Sequence, residues 1–202
     1  MFQIAEIQSF PSIIWYKDSF TSSYINIIAC ENWRKMNFRN RYMIAGSNGV
    51  ISLSVPVDQG RNQKAVLRDV KISYRENWQK VHWVSIVSCY NRSPFFENYR
   101  DELEMLFTKK WNYLLDWDIE TIFWLNRMLG YPGEVRLVDD LTGIEPSSIS
   151  DLRDRYLPKN YQEADINVVY PQVFEDRTGF LPNLSTLDLL CNTGPGAKKY
   201  LQ

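Results

Sequence analysis

The chain has little cysteine and a single histidine, and both scarcities limit the chemistry it can support. Cys30, Cys89 and Cys191 are isolated, odd in number and form no CxxC pair, so the sequence contains no recognisable zinc or redox motif. Isolated cysteines are typical of reduced thiols in a cytosolic protein. With His82 as the one histidine, we expect no catalytic zinc site, because such sites require several nitrogen, sulfur or carboxylate ligands together.

An excess of positive charge and a long apolar run are also missing. The 23 basic and 24 acidic residues leave a formal net charge of -1, whereas a nucleic-acid-binding domain needs a broadly basic surface. No stretch approaches the ~18 apolar residues of a membrane span, and MFQIAEIQSF lacks the basic start of a signal peptide. The GxxxxGK[ST], GxGxxG, GxSxG and HExxH patterns are absent. We therefore expect no nucleic-acid partner, no membrane span and no cofactor.

Aromatic residues, by contrast, are abundant. They make up 14% of the 202 residues, with 7 tryptophans, 12 tyrosines and 10 phenylalanines. A chain of this length is expected to form a single domain, here residues 1–202. The number of rings suggests that some line a groove or an interface, where they give large contact area at small entropic cost.

Strand-like and helix-like segments alternate along the chain, which predicts an α/β fold with a mixed sheet flanked by helices. Asn48-Gly49 between two β-branched segments predicts a β-hairpin. The apolar patterns predict strands at Ile4–Gln8, Tyr24–Cys30, Arg41–Gly46, Val50–Val57, Val66–Ile72, Val135–Val138 and Ile166–Val169. The polar segment Asp139–Asp165 is predicted to be loop with a short helix.

The predicted helices follow the hairpin. One covers Asn77–Tyr90, and a second is predicted to begin at Ser93-Pro94, with serine as the N-cap. An apolar stripe from Leu115 to Leu129 predicts a third, ended by Gly130. A last helix is predicted behind Ser185, with Asp188 completing a capping box.

Two segments are candidates for a functional site. NWRKMNFRNR (32–41) carries Arg34, Lys35, Arg39 and Arg41 without an acid, and arginine forks suit phosphate or carboxylate ligands. Trp33 and Phe38 could stack on a sugar or base. A solvated loop, with its charges paired to acids elsewhere, is the competing interpretation.

The second segment is NWQKVHW (77–83). On a helix, Trp78, His82, Ser85 and Cys89 share one face. This face brings an imidazole near a hydroxyl and a thiol, although side chains on one helix rarely point at each other productively. The alternatives for His82 are a hydrogen-bonded structural role and an acid-base or substrate-binding role.

Several short motifs follow one another along the chain: Gln-x-x-Pro at Gln8, RNRYMIAGSNGVISLSVPV, NWQKVHW, CYNRSPFFENYRDEL and GFLPNLSTLDLLCNTGP. Their order and spacing resemble those of the WbqC-like family of bacterial proteins. The residues that match the family pattern are Gln8, Pro11, Arg39, Asn40, Arg41, Lys80, His82, Ser93, Pro94 and Asp188. Two features depart from it: Cys89 stands where a small residue is expected, and the segment after Asp139 is short.

This resemblance implies a cytoplasmic role in making or decorating activated sugars for surface polysaccharides such as O-antigen or capsule. It carries no established reaction. We predict a transferase that moves an acyl or aminoacyl group to an amino sugar, and whose ligand is an anionic nucleotide-sugar. The catalytic residue would be His82, as a base, and the substrate-binding residues would be Gln8, Trp33, Lys35, Arg39, Asn40, Arg41 and Lys80.

The alternative is a non-enzymatic assembly protein of the same pathway. The aromatic excess and the helices between Ser93 and Gly130 would then supply a partner surface, such as a homodimer face.

Overall fold

The computed structural model of the chain describes residues 2–58, 65–142, 149–163 and 168–202. Its centre is a parallel four-stranded sheet in the order β5-β2-β1-β6. These strands are β1 (Phe2–Ile4), β2 (Tyr24–Ile28), β5 (Glu134–Val138) and β6 (Ile149–Asp151). Parallel neighbours need a crossover connection, and α1 (Ile13–Ser19) supplies it between β1 and β2.

A separate antiparallel hairpin, formed by β3 (Arg41–Gly46) and β4 (Gly49–Ser54), lies outside this sheet among the described residues. Gly46 pairs with Gly49, so Ser47 and Asn48 form the two-residue turn. Gly49 has φ +114, a conformation that glycine adopts without steric cost. The predicted hairpin is confirmed, with its turn one residue earlier than the Asn-Gly pair.

Helices surround these strands. Besides α1, the described residues form the α-helices α2 (Trp78–Tyr90), α3 (Phe96–Thr108), α4 (Leu114–Leu129), α5 (Glu175–Thr178), α6 (Thr186–Thr193) and α7 (Ala197–Leu201). α6 contacts α1, α3, α4 and β3, and seven of its eight residues are buried as a result. The C-terminal segment is therefore an integral part of the core.

The aromatic residues mainly fill this core. The ring of Phe10 lies 5.0 Å from that of Tyr42 and 5.7 Å from that of Trp117, centroid to centroid, with edge-on geometry. Trp117 is fully buried and also contacts Trp78, at 5.2 Å. Edge-to-face pairs of this kind add to the stability that burial itself provides.

The mixed α/β fold is confirmed, and several local predictions need correction. Val66–Ile72 is not a strand: it holds a 3₁₀ turn at Leu67–Asp69 and isolated bridges. Ser93 does not cap α3, since its hydroxyl donates to Tyr90 O. β6 was missed, because a three-residue strand carries too short a pattern to recognise. The predicted strand Ile166–Val169 lies partly outside the described residues.

The carboxyl of Asp188 does not complete a capping box. It accepts hydrogen bonds from the hydroxyls of Tyr90 and Tyr170 and from the amide of Gln172. Ser185 does cap α6, by accepting from the amide of Leu187. Asp188 therefore joins α6 to α2 and to the segment before α5.

Gly194, the residue that ends α6, should not tolerate a side chain. Its φ is +58, and an added Cβ would lie 2.4 Å from the ring of Phe95. We expect Gly194→Ala to lower the free energy of unfolding by about 1–3 kcal/mol, as other overpacked positions do. Urea denaturation measures the change.

Gly196→Ala is the matched control. Gly196 has helical backbone angles and open space around its Cα, so alanine there should be neutral or slightly stabilising. Equal stability of the two variants would contradict the assigned role of Gly194.

Candidate functional site

The carboxyl ends of the parallel strands bring together a group of buried charges. In open α/β sheets, ligands bind outside these ends, where neighbouring strands connect in opposite directions. Here β1 has β2 on one side and β6 on the other. The residues that follow these strands, together with Arg39, form what we call the strand-end cluster: Glu6, Glu31, Arg39 and Arg153.

Arg39 is the centre of this cluster. Its side chain is 2% exposed, and its Nη2 lies 2.6 Å from Glu31 Oε2. Nη1 donates to Asn32 O at 2.9 Å, and Nε lies 3.7 Å from Glu6 Oε1. Arg153 contacts the other oxygen of Glu31. The guanidinium is thus held by two acids and a carbonyl, as a buried charge must be.

Glu6 is the least satisfied member of the cluster. Both carboxylate oxygens are buried and lack a well-formed hydrogen bond within the described chain. Burial raises the pKa of Glu6 to about 7, while Arg39 and the backbone amide of Asp154 act in the opposite direction, and the charges of Asp154 and Glu31 raise it further. A carboxyl whose pKa lies close to neutral pH is suited to general acid-base chemistry.

A second buried carboxyl, Asp118 of α4, adjoins the cluster through Ser9. The Ser9 hydroxyl contacts Asp118 Oδ1 and lies 3.0 Å from Arg39 O. Burial raises the pKa of Asp118 well above its usual value. A serine hydroxyl has one proton to donate. The one proton of Ser9 is therefore shared between Asp118 Oδ1 and Arg39 O, and the hydrogen bond from Ser9 and the charge of Arg39 oppose the effect of burial on the pKa of Asp118.

The backbone is strained at Phe10, the residue that follows Ser9. Its φ is +40, and residues other than glycine rarely adopt such values. The Phe10 amide donates to Thr121 Oγ1 at 3.2 Å, and the Gln8 side chain accepts from the amide and hydroxyl of Ser12. These contacts hold the segment that follows β1 in a conformation that is costly by itself.

His82 lies in different surroundings, against the hairpin. Its Nδ1 is 3.0 Å from the hydroxyl of Tyr42, and its ring packs edge-on against Trp78 at 5.1 Å. Burial lowers the pKa of His82 to about 4, although a backbone group of Ser54 favours the charged form. The imidazole is therefore neutral near pH 7. It borders a small pocket of about 220 Å³ that Ser52, Ser54 and Glu76 also line.

The other predicted site residues are spread over several environments. Asn40 donates from its side chain to Val55 O, and so fixes the base of the hairpin. Arg41 is half-buried in β3, and Trp33 packs against the apolar residues under the cluster. Lys35 and Lys80 are exposed. The structure thus brings Arg39 close to the Gln8 segment, and places Lys80 and His82 on α2.

Sequence reasoning missed Glu6, Ser9, Glu31, Asp118 and Arg153. Two of them carried a recognisable signal. Glu6 interrupts an apolar strand-like segment, and Asp118 falls on the apolar stripe of α4, four residues after Leu114 and before Ile122. A charged residue on a buried face usually has a partner or a task. Glu31 and Arg153 meet only through the fold and gave no local signal.

Among the described residues, no group of three histidine, cysteine or acidic side chains is arranged to hold a metal ion. Burial raises the pKa of Cys89 to about 11, which suppresses the thiolate that nucleophilic attack requires. No helix within the described ranges is both long and apolar enough to cross a membrane.

The fold and this site define an α/β protein with a parallel sheet and a buried charge cluster at the carboxyl ends of its strands. The chain belongs to the WbqC-like protein family, whose model matches residues 8–156. The match includes Arg39, Asp118 and His82 and begins just after Glu6. Searches of curated proteins and of solved structures gave no significant match.

Glu6 should make the stability of the protein fall as the pH rises. Between its ordinary pKa of 4.5 and its folded pKa of about 7, the folded state holds a proton that the unfolded state releases, so unfolding becomes easier with rising pH. A shift of this size corresponds to about 3 kcal/mol. We therefore expect Glu6→Gln to gain about 3 kcal/mol relative to the wild type between pH 4.5 and pH 8, measured by urea denaturation.

Glu163→Gln is the control, because Glu163 is an exposed carboxylate outside the cluster. Its stability difference from the wild type should stay nearly constant over the same pH range. A constant difference for Glu6→Gln as well would contradict a raised pKa for Glu6.

His82 can be tested directly, since it is the one histidine in the chain. Its imidazole protons should give a single set of NMR signals that titrates near pH 4, below the ordinary value of about 6.5. Folded-state stability should consequently be lost as the pH falls from 6.5 to 4, because the unfolded chain binds the proton more readily. A midpoint close to 6.5 would show that the imidazole is exposed to water.

Proposed function

We propose that the chain is a transferase of surface-polysaccharide biosynthesis that acylates or aminoacylates the amino group of a nucleotide-activated sugar. Membership of the WbqC-like family supports the pathway. The strand-end cluster supports the chemistry. The observation on which the proposal depends is a buried, incompletely bonded carboxyl, Glu6, whose pKa lies near 7 beside a guanidinium.

The sequence predicts His82 as the base, but Glu6 fits this proton-accepting role better. An attacking amine must lose a proton as it forms a bond to the acyl carbon. A carboxylate with a pKa near 7 is both available and basic enough at neutral pH. An imidazole with a pKa of about 4 is available but a weak base. His82 is better suited to holding Tyr42 and the hairpin in position.

The proposed step is an acyl transfer. The amine nitrogen attacks the carbonyl carbon of an acyl donor, the new C–N bond forms, and the bond to the donor's leaving group breaks. The proton of the amine passes to Glu6, and the leaving group departs with the electron pair of the broken bond. Arg39 stabilises the negative charge of Glu6 before transfer and is neutralised by Glu31 afterwards. Since Glu6 is buried, substrate entry requires local rearrangement at the cluster.

An assembly protein without catalytic activity is the second candidate. It is favoured by exposed apolar side chains on the helices: Val81 and Val84 of α2 are 59% and 53% exposed, and Met105 of α3 is 67% exposed. Val81 and Val84 are three residues apart on one helix face. Such a face could contact a second copy or a pathway enzyme.

A thermal scan with nucleotide-linked amino sugars separates the two. A ligand held at 100 times its Kd should stabilise the wild type by about 2.7 kcal/mol. Glu6→Gln should retain this stabilisation, because glutamine keeps the shape of the site, and should lose transfer of an acyl group by at least a hundredfold, as removal of a general base does.

Glu163→Gln again serves as control and should bind and react as the wild type does. If no nucleotide-linked sugar stabilises the protein, or if Glu6→Gln transfers acyl groups at the wild-type rate, the proposed transferase site is wrong. Light scattering on the same samples shows whether the protein instead self-associates.

A further inference from the structure

A candidate anion site lies just beyond the C-terminal end of α2, where two arginines border a pocket. The pocket has a volume of about 430 Å³ and is lined by Arg92, Pro94, Pro171, Gln172, Val173, Phe174, Arg177 and Asn192. It shares no residue with the strand-end cluster. Its volume falls within the roughly 300–1,000 Å³ of small-molecule sites.

The two guanidiniums of this pocket are free to bind a ligand. Arg92 and Arg177 are exposed, and neither forms an ion pair or a side-chain hydrogen bond with any residue that the structure describes. Arg39, Arg34 and Arg153, in contrast, are each held by carboxylates. No acidic side chain is among the described residues that line the pocket. Two like charges over one hollow are stabilised by an anion between them.

The floor of the pocket is held rigidly. The side-chain nitrogen of Gln172 lies within hydrogen-bond distance of Tyr170 Oη, Leu181 O and Asp188 Oδ2, and shares its two protons among them. The side-chain oxygen of Gln172 accepts from the backbone amide of Leu181. The Asn192 side chain donates to Asp188 O at 2.8 Å. Two carboxylates near the pocket are already engaged: Asp188 accepts from three donors, and Glu175 accepts from the backbone amide of Gln172. A site with a fixed floor loses little entropy when a ligand binds.

The chemistry of the lining favours a phosphate over a carboxylate. A carboxylate offers two oxygens, which a single guanidinium fork occupies. A phosphate monoester offers three terminal oxygens and a charge of about −1.5 to −2, which matches the charge of two guanidiniums and leaves an oxygen for each. Pro94, Pro171 and Phe174 add rigid apolar walls, against which the nonpolar face of a sugar or base ring can pack.

From this arrangement we propose that Arg92 and Arg177 form a binding site for a phosphorylated small molecule that carries a ring, such as a sugar phosphate or a nucleotide. The site stands independently of the proposed transfer reaction, and its ligand binds with the phosphate between the two guanidiniums and the ring against Pro94 and Phe174.

Isothermal titration calorimetry with glucose 1-phosphate at low ionic strength tests the site. Arg92→Gln and Arg177→Gln should each raise Kd at least tenfold, because each removes a charge-assisted contact to the phosphate. Affinity should fall with added salt. Both arginines are exposed, so the unliganded variants should melt at the wild-type temperature.

Arg75→Gln is the matched control. Arg75 is an exposed arginine that precedes α2, while Arg92 follows it, and the 13 residues of α2 span about 20 Å. This variant removes the same charge and should leave Kd unchanged. An equal loss of affinity in Arg75→Gln would show that net charge alone causes the rise in Kd, and would overturn the site.

Three further ligands sharpen the test. Glucuronate, with the same ring and a carboxylate, should bind at least tenfold more weakly than glucose 1-phosphate; equal affinity would overturn the preference for phosphate. Inorganic phosphate should also bind more weakly, and equal binding would overturn the contribution of the ring. Glucose should not bind. Since the strand-end cluster is untouched in these variants, failure here leaves the proposed role of Glu6 to its own experiment.

Discussion

The buried guanidinium of Arg39 is the constraint around which the strand ends are arranged. Removing a charge from water costs several kcal/mol, and only close partners compensate for it. For Arg39 these partners are Glu31 after β2, Glu6 after β1 and the carbonyl of Asn32. Arg153, after β6, forms an ion pair with the second oxygen of Glu31. One side chain from the segment before the hairpin thereby fixes three parallel strands relative to one another. Loss of Arg39 would leave Glu6 buried without an ion-pair partner among the described residues.

Another buried acid, on α6, does similar work. Asp188 lies on the buried face of α6, and it is bonded by Tyr90 from α2 and by Tyr170 and Gln172 from the segment before α5. Tyr90 in turn accepts from the backbone amide of Ala45 in β3. The hairpin, two helices and an irregular segment thus meet at one carboxyl. This network also sets the floor beneath Arg92 and Arg177, two cations without an ion-pair partner among the described residues, and explains how their pocket can have a rigid base.

The sequence was informative where the physics is local. Helix α4 shows a long apolar stripe and a glycine stop, and the β3–β4 hairpin shows a clear turn. These elements and α2 were predicted close to their true bounds. Local patterns cannot show which distant residues share a buried space. Arg39 was predicted to be a site residue because cations cluster around it, yet its partners Glu6 and Glu31 come from two other segments, and the pairing depends on strand order. Ser93 and Asp188 show the opposite error. A capping pattern was present in both cases, but the Ser93 hydroxyl donates to Tyr90 O at the end of α2, and the Asp188 carboxyl accepts tertiary hydrogen bonds from Tyr90 and Tyr170.

Burial also decides which titratable group can move a proton at neutral pH. Desolvation disfavours the charged form of any group, so it raises the pKa of a carboxyl and lowers that of an imidazole. Glu6 starts at 4.5 and is carried up to about 7, whereas His82 starts at 6.5 and is carried down to about 4. The same physical effect therefore moves the acid into the useful range and the histidine out of it. A histidine is the usual first choice for a base because its unperturbed pKa is near 7, but that choice assumes a solvated ring. In this protein the buried carboxyl of Glu6, beside the guanidinium of Arg39, is the group that gains and loses its proton near neutral pH.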